Sequence, residues 1–155
     1  MEEKKYRTSE HCKYICQYHI IWCTKFRYSI MKGKIEEAIK EILLTIAQKY
    51  KYKILALEVM PDHLHIFISC HPTIAPIEIV RTLKSITTIE IFKRFPTLKS
   101  FYKRCGSLWS KGKFISTVGH LSSEIVKKYI EEQQENGTKT KLQNTSTTNQ
   151  KAQKR

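Results

Sequence analysis

The stretch whose residue types and spacing best suit chemistry is Asp62-His63-Leu64-His65-Ile66-Phe67-Ile68. Apolar and polar residues alternate here, which predicts a β-strand from His63 to about Cys70. Side chains alternate between the faces of a strand, so His63 and His65 point the same way, about 7 Å apart. Leu64, Ile66 and Ile68 then point into the core. Pro61-Asp62 is a turn signal, which puts the pair at the start of its strand, near a sheet end. Two imidazoles on one face can hold one metal ion. The plain alternative is two half-exposed histidines on a sheet.

A second stretch, Val126-Lys127-Lys128-Tyr129-Ile130-Glu131-Glu132-Gln133-Gln134, carries apolar residues at helical spacing, with Ile125, Val126, Tyr129 and Ile130 in step. Tyr129 and Gln133 are four apart and share one helical face. A tyrosine hydroxyl and an amide oxygen can thus face the same object. An ordinary amphipathic helix with a packed tyrosine and a solvated glutamine would show the same pattern.

With these two stretches go Tyr18-His19-Ile20-Ile21-Trp22-Cys23-Thr24-Lys25-Phe26-Arg27, Met60-Pro61 before the histidines, Leu108-Trp109 and Phe114-Ile115-Ser116-Thr117-Val118-Gly119. In this order the blocks resemble the single-tyrosine transposases of the smallest insertion sequences, TnpA-like members of the His-hydrophobic-His (HUH) nuclease superfamily. The resemblance covers most of the chain from Tyr14 to Gln134. Two departures stand out: Thr24 where proline is frequent, and His120 where a second glycine often follows Gly119.

The resemblance implies that His63, His65 and Gln133 hold one divalent ion and that Tyr129 is the nucleophile. Three neutral ligands leave the ion its full charge for a phosphate oxygen. Oxygen ligands favour Mg²⁺, and imidazole nitrogen makes Mn²⁺ acceptable. Attack by Tyr129 would give a 5′-phosphotyrosine link and a free 3′-OH, so single-stranded DNA could be cut and rejoined without a nucleotide cofactor. The family is understood to recognise hairpins at element ends. One tyrosine per chain and two ends to cut make a homodimer the natural unit. Competing readings are a domesticated repeat-associated tyrosine transposase, a non-catalytic single-strand nucleic-acid binder, and a metal-dependent hydrolase of small substrates.

Bulk composition agrees with a nucleic-acid partner. Lys and Arg number 28 against 14 Asp and Glu, a formal charge of +14, which calls for a polyanion. No apolar run is long enough to span a membrane, and no secretory signal opens the chain. Five cysteines without a small-secreted pattern fit a reduced, cytoplasmic setting. At 155 residues the chain suits one domain with a real core. Residues 1–13 are expected to be a flexible N-terminus, 14–136 the single folded domain, and 137–155 a disordered basic tail, since nothing apolar follows Gly137 in any number.

The elements that must position the candidate residues follow from periodicity. Tyr14–Cys23 reads as a first strand. Ile35–Tyr50 reads as a helix with Ile35, Ile39, Ile42, Leu43, Ile46 and Tyr50 on one side. Tyr52–Val59 forms a hairpin with the histidine strand. Pro76 opens a helix reaching about Phe95, with Ile77, Val80, Leu83 and Thr87 buried. Residues 96–107 are expected to be an irregular basic connection, and 108–118 strand-like around a Lys111-Gly112-Lys113 turn. Ser122 or Ser123 caps the last helix. The order predicts an α+β fold with a mainly antiparallel sheet, and the resemblance implies a ferredoxin-like or RNA-recognition-like core.

Lys25, Arg27, Arg81, Lys84, Lys111 and Lys113 are the expected phosphate contacts. Trp22, Phe26, Tyr28 and Trp109 lie near basic residues, as the base-stacking aromatics of single-strand binders do, although Trp22 also fits the core. Cys12, Cys16 and His19 have loose zinc spacing, yet Cys16 and His19 fall on opposite strand faces and no second ligand pair follows. No phosphate-binding glycine loop occurs.

Overall fold

The computed structural model describes residues 6–119. Its elements are β1 (Arg7–Ser9), β2 (Cys12–Tyr14), β3 (Gln17–Cys23), α1 (Lys34–Lys49), β4 (Lys53–Val59), β5 (His63–Ser69), α2 (Pro76–Arg94), α3 (Pro96–Phe101) and β6 (Phe114–Thr117). A tight turn, Lys25–Arg27, follows β3, with Phe26 and Arg27 at positive φ. None of these helices is long and apolar enough to cross a membrane.

Strands β3 to β6 form one antiparallel sheet in the order β4-β5-β3-β6. With α1 between β3 and β4, and α2 between β5 and β6, this is the split βαβ arrangement of a ferredoxin-like core. The α+β expectation holds. Alternation sorts the side chains. Ile20, Trp22, Leu64, Ile66 and Ile68 join Ile39, Leu43 and Ile46 of α1 and Ile79, Val80 and Leu83 of α2 in one buried cluster. Both long helices therefore cover one face. The other face carries His19, Ile21, Cys23, His63, His65 and Phe67, with Phe67 packed against Val118, Leu55 and Ala56.

Helix α1 starts after Gly33, whose φ of 55° suits a residue without Cβ. Glu36 and Glu37 in its first turn and Lys49 in its last complement the helix dipole. Helix α2 begins at Pro76 as expected, but Ile77 is exposed and Ile79 takes its place in the buried stripe.

Three segments differ from the sequence expectation. The first strand is shorter, because Cys12–Tyr14 pairs instead with Arg7–Ser9 in a separate hairpin. Arg7 ties that hairpin to the sheet by donating to the Ser69 carbonyl at 3.2 Å. The connection after Phe95 is helical over Pro96–Phe101. Phe95 before the proline has left the helical region, with φ −127° and ψ 78°, as the clash with the proline ring favours. Pro96 then opens a new helix; its Leu98 and the residue that ends it, Tyr102, are buried four residues apart. Residues 108–118 form a strand only at Phe114–Thr117; Trp109 instead makes an isolated bridge to Thr24.

Candidate active site

His63 and His65 share the face of β5 opposite α1 and α2, with ring centroids 5.2 Å apart. Each ring has its Nδ1 engaged by a neighbour. His63 Nδ1 lies 2.6 Å from Asp62 Oδ1. A carboxylate can only accept, so His63 carries its proton on Nδ1. His65 Nδ1 lies 3.2 Å from His19 Nε2, the two rings stacked at 5.4 Å. Cross-strand register explains this second pair. His65 faces Ile21 and Phe67 faces His19, so His19 and His65 are diagonal neighbours on one face. Neither Nε2 of the His63–His65 pair has a hydrogen-bond partner among the described residues.

The electrostatics favour neutral rings at His65 and His19. Burial, then the nearby His63 and His19, pushes His65 down to about 4. Burial also lowers His19. The hydrogen bond from His63, helped by Arg27, holds Asp62 below the usual carboxylate range despite burial. A neutral ring that donates from Nδ1, as His63 does to Asp62, offers its Nε2 lone pair to a cation, and His65 does the same in the tautomer that donates to His19. Among the described residues no cluster of three or more His, Cys, Asp or Glu side chains could hold a metal ion. The pair therefore needs a further ligand of another kind or from elsewhere. The expected ligand Gln133 and the expected nucleophile Tyr129 lie outside the described residues.

Sequence reasoning missed three members of this neighbourhood. His19 stands in the sequence as a zinc candidate and as one residue of a resembling block, although its alternation with Ile20 and Trp22 marks it for the sheet face opposite the helices. Asp62 was read as turn chemistry alone. Glu58 pairs with His65 across β4 and β5, is only 3% exposed, and has an Oε2 without a hydrogen-bond partner among the described residues. Its burial raises its pKa. Glu58 gave no sequence signal beyond an acidic residue inside a strand.

The loop after β3 braces the turn before His63. Thr24 N–H donates to the Asp62 carbonyl at 2.9 Å, and its hydroxyl lies 2.8 Å from the Tyr28 carbonyl and 3.2 Å from that of Asp62. Proline at this position would lack the N–H. The departure at Thr24 thus supplies a donor to the frame of the histidine site.

The expected phosphate contacts divide into two groups. Arg27 pairs with Asp62 at 3.1 Å and so flanks the histidines, while Lys25 sits 5.3 Å from the Phe26 ring centre. Arg81, Lys84, Lys111 and Lys113 line a groove between α2 and the 106–113 segment. Lys84 is tied down in it. Its ammonium donates to the Ser110 and Gly112 carbonyls at 2.8 and 3.1 Å, and burial, with Lys113 adding, lowers it to about 8. Ser110 N–H donates to the Cys23 carbonyl at 3.0 Å, and Cys23 pairs with His63, so both basic groups border the same end of the sheet. Trp22 and Trp109 are 1% and 2% exposed and pack edge to face, with Trp109 Nε1 donating to Thr87 Oγ1 at 2.8 Å. Neither tryptophan is free to stack on a base, which corrects that expectation.

Comparison with known proteins agrees with this arrangement. The family model described as "Transposase IS200 like" matches residues 12–133. ISDra2 transposase TnpA of Deinococcus radiodurans is 35% identical over 120 residues, covering 77% of this chain and 85% of the relative. The transposase for insertion sequence element IS200 of Salmonella typhimurium is 27% identical over 125 residues, covering 81% of each. The crystal structure of a candidate transposase from Deinococcus radiodurans R1 superposes with a TM-score of 0.68 at 31% identity, over 82% of this chain and 97% of that one. A REP-associated tyrosine transposase bound to a REP hairpin shares the fold alone, with a TM-score of 0.52 at 12% identity over 79% and 68% of the two chains. A family match over most of the chain, a relative at 35% identity and a matching crystal fold lead to one conclusion: this chain belongs to the IS200-like transposase family.

Proposed function

We propose that this transposase cuts and rejoins single-stranded DNA at the ends of an insertion sequence, with Tyr129 as nucleophile and His63, His65 and Gln133 as the holders of a divalent cation. The observation that carries this reading is the pair of Nε2 atoms that lack a hydrogen-bond partner among the described residues, on the sheet face that α1 and α2 leave open, each ring fixed by a partner on Nδ1. Mg²⁺ or Mn²⁺ bound there would polarise the scissile phosphate. The donor set fits that role, since two neutral imidazoles and an amide oxygen do not cancel the ion's charge.

The chain's own residues do the rest. The Tyr129 hydroxyl gives its proton to solvent, and its oxygen bonds to phosphorus. The bond from phosphorus to the 3′ oxygen breaks, and that oxygen takes up a proton to become a free 3′-OH. Deprotonating a tyrosine of pKa about 10 at pH 7 costs roughly 4 kcal/mol, which surrounding positive charge offsets in part. The 5′-phosphotyrosine conserves the phosphodiester energy, so another strand's 3′-OH can reverse the step and join. Asp62 and His19 hold the imidazoles in place. Basic residues of the +14 chain bind phosphates and favour hairpin-bearing ends. Two ends and one tyrosine per chain fit a homodimer.

The test is incubation of the full chain and Mg²⁺ with single-stranded DNA from both flanks of its gene, read on a denaturing gel. A covalent protein–DNA band that requires the metal is expected. Cleavage by water with no adduct at any time would contradict the tyrosine route. Tight binding with neither product would leave a non-catalytic single-strand binder.

A further inference from the structure

We infer that Phe26, Tyr28 and Phe101 form a ledge on which unpaired bases of a single strand stack, beside the histidine pair. The occupant's identity as single-stranded DNA rests on the function proposed above.

Three large apolar rings are exposed together where burial would be expected. Phe26 is 63% exposed, Phe101 60% and Tyr28 45%. They form a continuous run: Phe26 to Tyr28 is 5.6 Å between centroids, and Tyr28 to Phe101 is 5.2 Å. Tyr102 backs the run from beneath. It is 2% exposed, touches Phe101 at 5.0 Å, and donates its hydroxyl to the Lys25 carbonyl at 3.3 Å. The ledge is thus held on a buried support.

The backbone presents Phe26 outward at a cost. Phe26 and Arg27 have φ of 59° and 53°, the left-handed region that bulky residues avoid. Two consecutive residues of this kind, carrying an exposed ring and a guanidinium, mark a segment shaped for contact rather than for packing.

Charge selects the occupant. Lys25 lies over the Phe26 ring, Arg27 follows it, and Lys99, Lys103 and Arg104 are exposed on and after α3. Exposed rings among cations suit a polyanion that shows flat faces, which is a nucleic acid with unpaired bases. A duplex hides those faces. Continuity with the histidine site comes through Arg27, which bonds Asp62 at 3.1 Å, while Asp62 bonds His63. A strand whose phosphate lies at the histidines has its neighbouring bases within reach of the ledge.

The experiment compares the full wild-type chain with Phe26→Ala/Phe101→Ala. Fluorescence anisotropy measures binding to a labelled dT oligomer of about 12 nucleotides and to the same oligomer with abasic sites throughout, in EDTA. Each stacked base lost is worth about 1–3 kcal/mol, so dT binding should weaken at least fivefold, at about 1.4 kcal/mol per factor of ten. The abasic strand should bind wild type weakly and lose little more in the variant. Both truncated rings are exposed, and an unchanged melting temperature confirms the fold. Equal affinity of both proteins for dT overturns the ledge, as does an equal loss on both strands. A change in self-association with unaltered dT binding also overturns it. The readout needs neither metal nor Tyr129, so it stands or falls apart from adduct formation.

Discussion

Replacing His19 by phenylalanine tests how the histidine site is held. The substitution removes the only partner of His65 Nδ1 among the described residues, at 3.2 Å, and keeps a flat ring on the same face. His65 is 8% exposed, so water cannot readily replace the lost bond. An unsatisfied buried donor or acceptor costs about 1–3 kcal/mol. For a chain of this size that lowers the melting temperature by roughly 2–12 °C. Losing the partner that orients a ligating histidine typically costs about 10–100-fold in metal affinity. Titration of the full-length chain with Mn²⁺, followed by calorimetry and by electron paramagnetic resonance of the free ion, should show a loss in that range. His19→Asn should fall in between, because its side-chain oxygen can still accept. Asp62→Asn should cost less stability, since the side chain of His63 is 25% exposed and water can reach it. If His19→Phe folds and binds Mn²⁺ as tightly as wild type, the reasoning about Nδ1 fails.

Other outcomes follow from particular contacts. Lys84→Met should destabilise the fold by about 2 kcal/mol, because two carbonyls lose a charged donor; Arg81→Met, exposed and paired among the described residues only with Glu78, should change the melting temperature far less. Thr24→Pro should destabilise the turn before His63 more than Thr24→Val, which retains the N–H bonded to Asp62. Burial pushes Tyr102 up to about 12, so its neutral form is favoured in the fold: that stability is present below pH 10 and is lost as pH rises toward 12. Tyr102→Phe should therefore be less stable than wild type at neutral pH, from the lost bond to Lys25, with the gap closing in chemical denaturation between pH 10 and 12. Deleting residues 138–155 should leave adduct formation intact, and a truncated chain that folds but forms none would contradict this.

Much of the frame is legible in the sequence because it rests on long periodic segments. The stripe Ile39, Ile42, Leu43 and Ile46 defines α1, Pro76 opens α2, and the alternation from His63 to Ile68 fixes which way the histidines point. Short elements were not legible. Helix α3 has six residues, too few for a period to emerge, and its exposed Phe101 falls in what reads as a connection. Trp109 sits among polar and basic residues, yet its indole is buried because Thr87, 22 residues earlier, supplies a partner. The contact between His19 and His65 depends on the register that places Ile21 opposite His65. Periodicity reveals a strand's faces but not its register, so this pairing required the structure.

Peptide mapping of a trapped adduct tests the central claim most directly. Full-length protein incubated with Mg²⁺ and single-stranded flanking DNA would be digested by protease and nuclease and analysed by mass spectrometry. The account predicts a nucleotide on the peptide containing Tyr129, linked through its 5′ phosphate, and no adduct from Tyr129→Phe, which should still bind the same DNA. An adduct on any other residue, or cleavage by Tyr129→Phe at the wild-type rate, would contradict it.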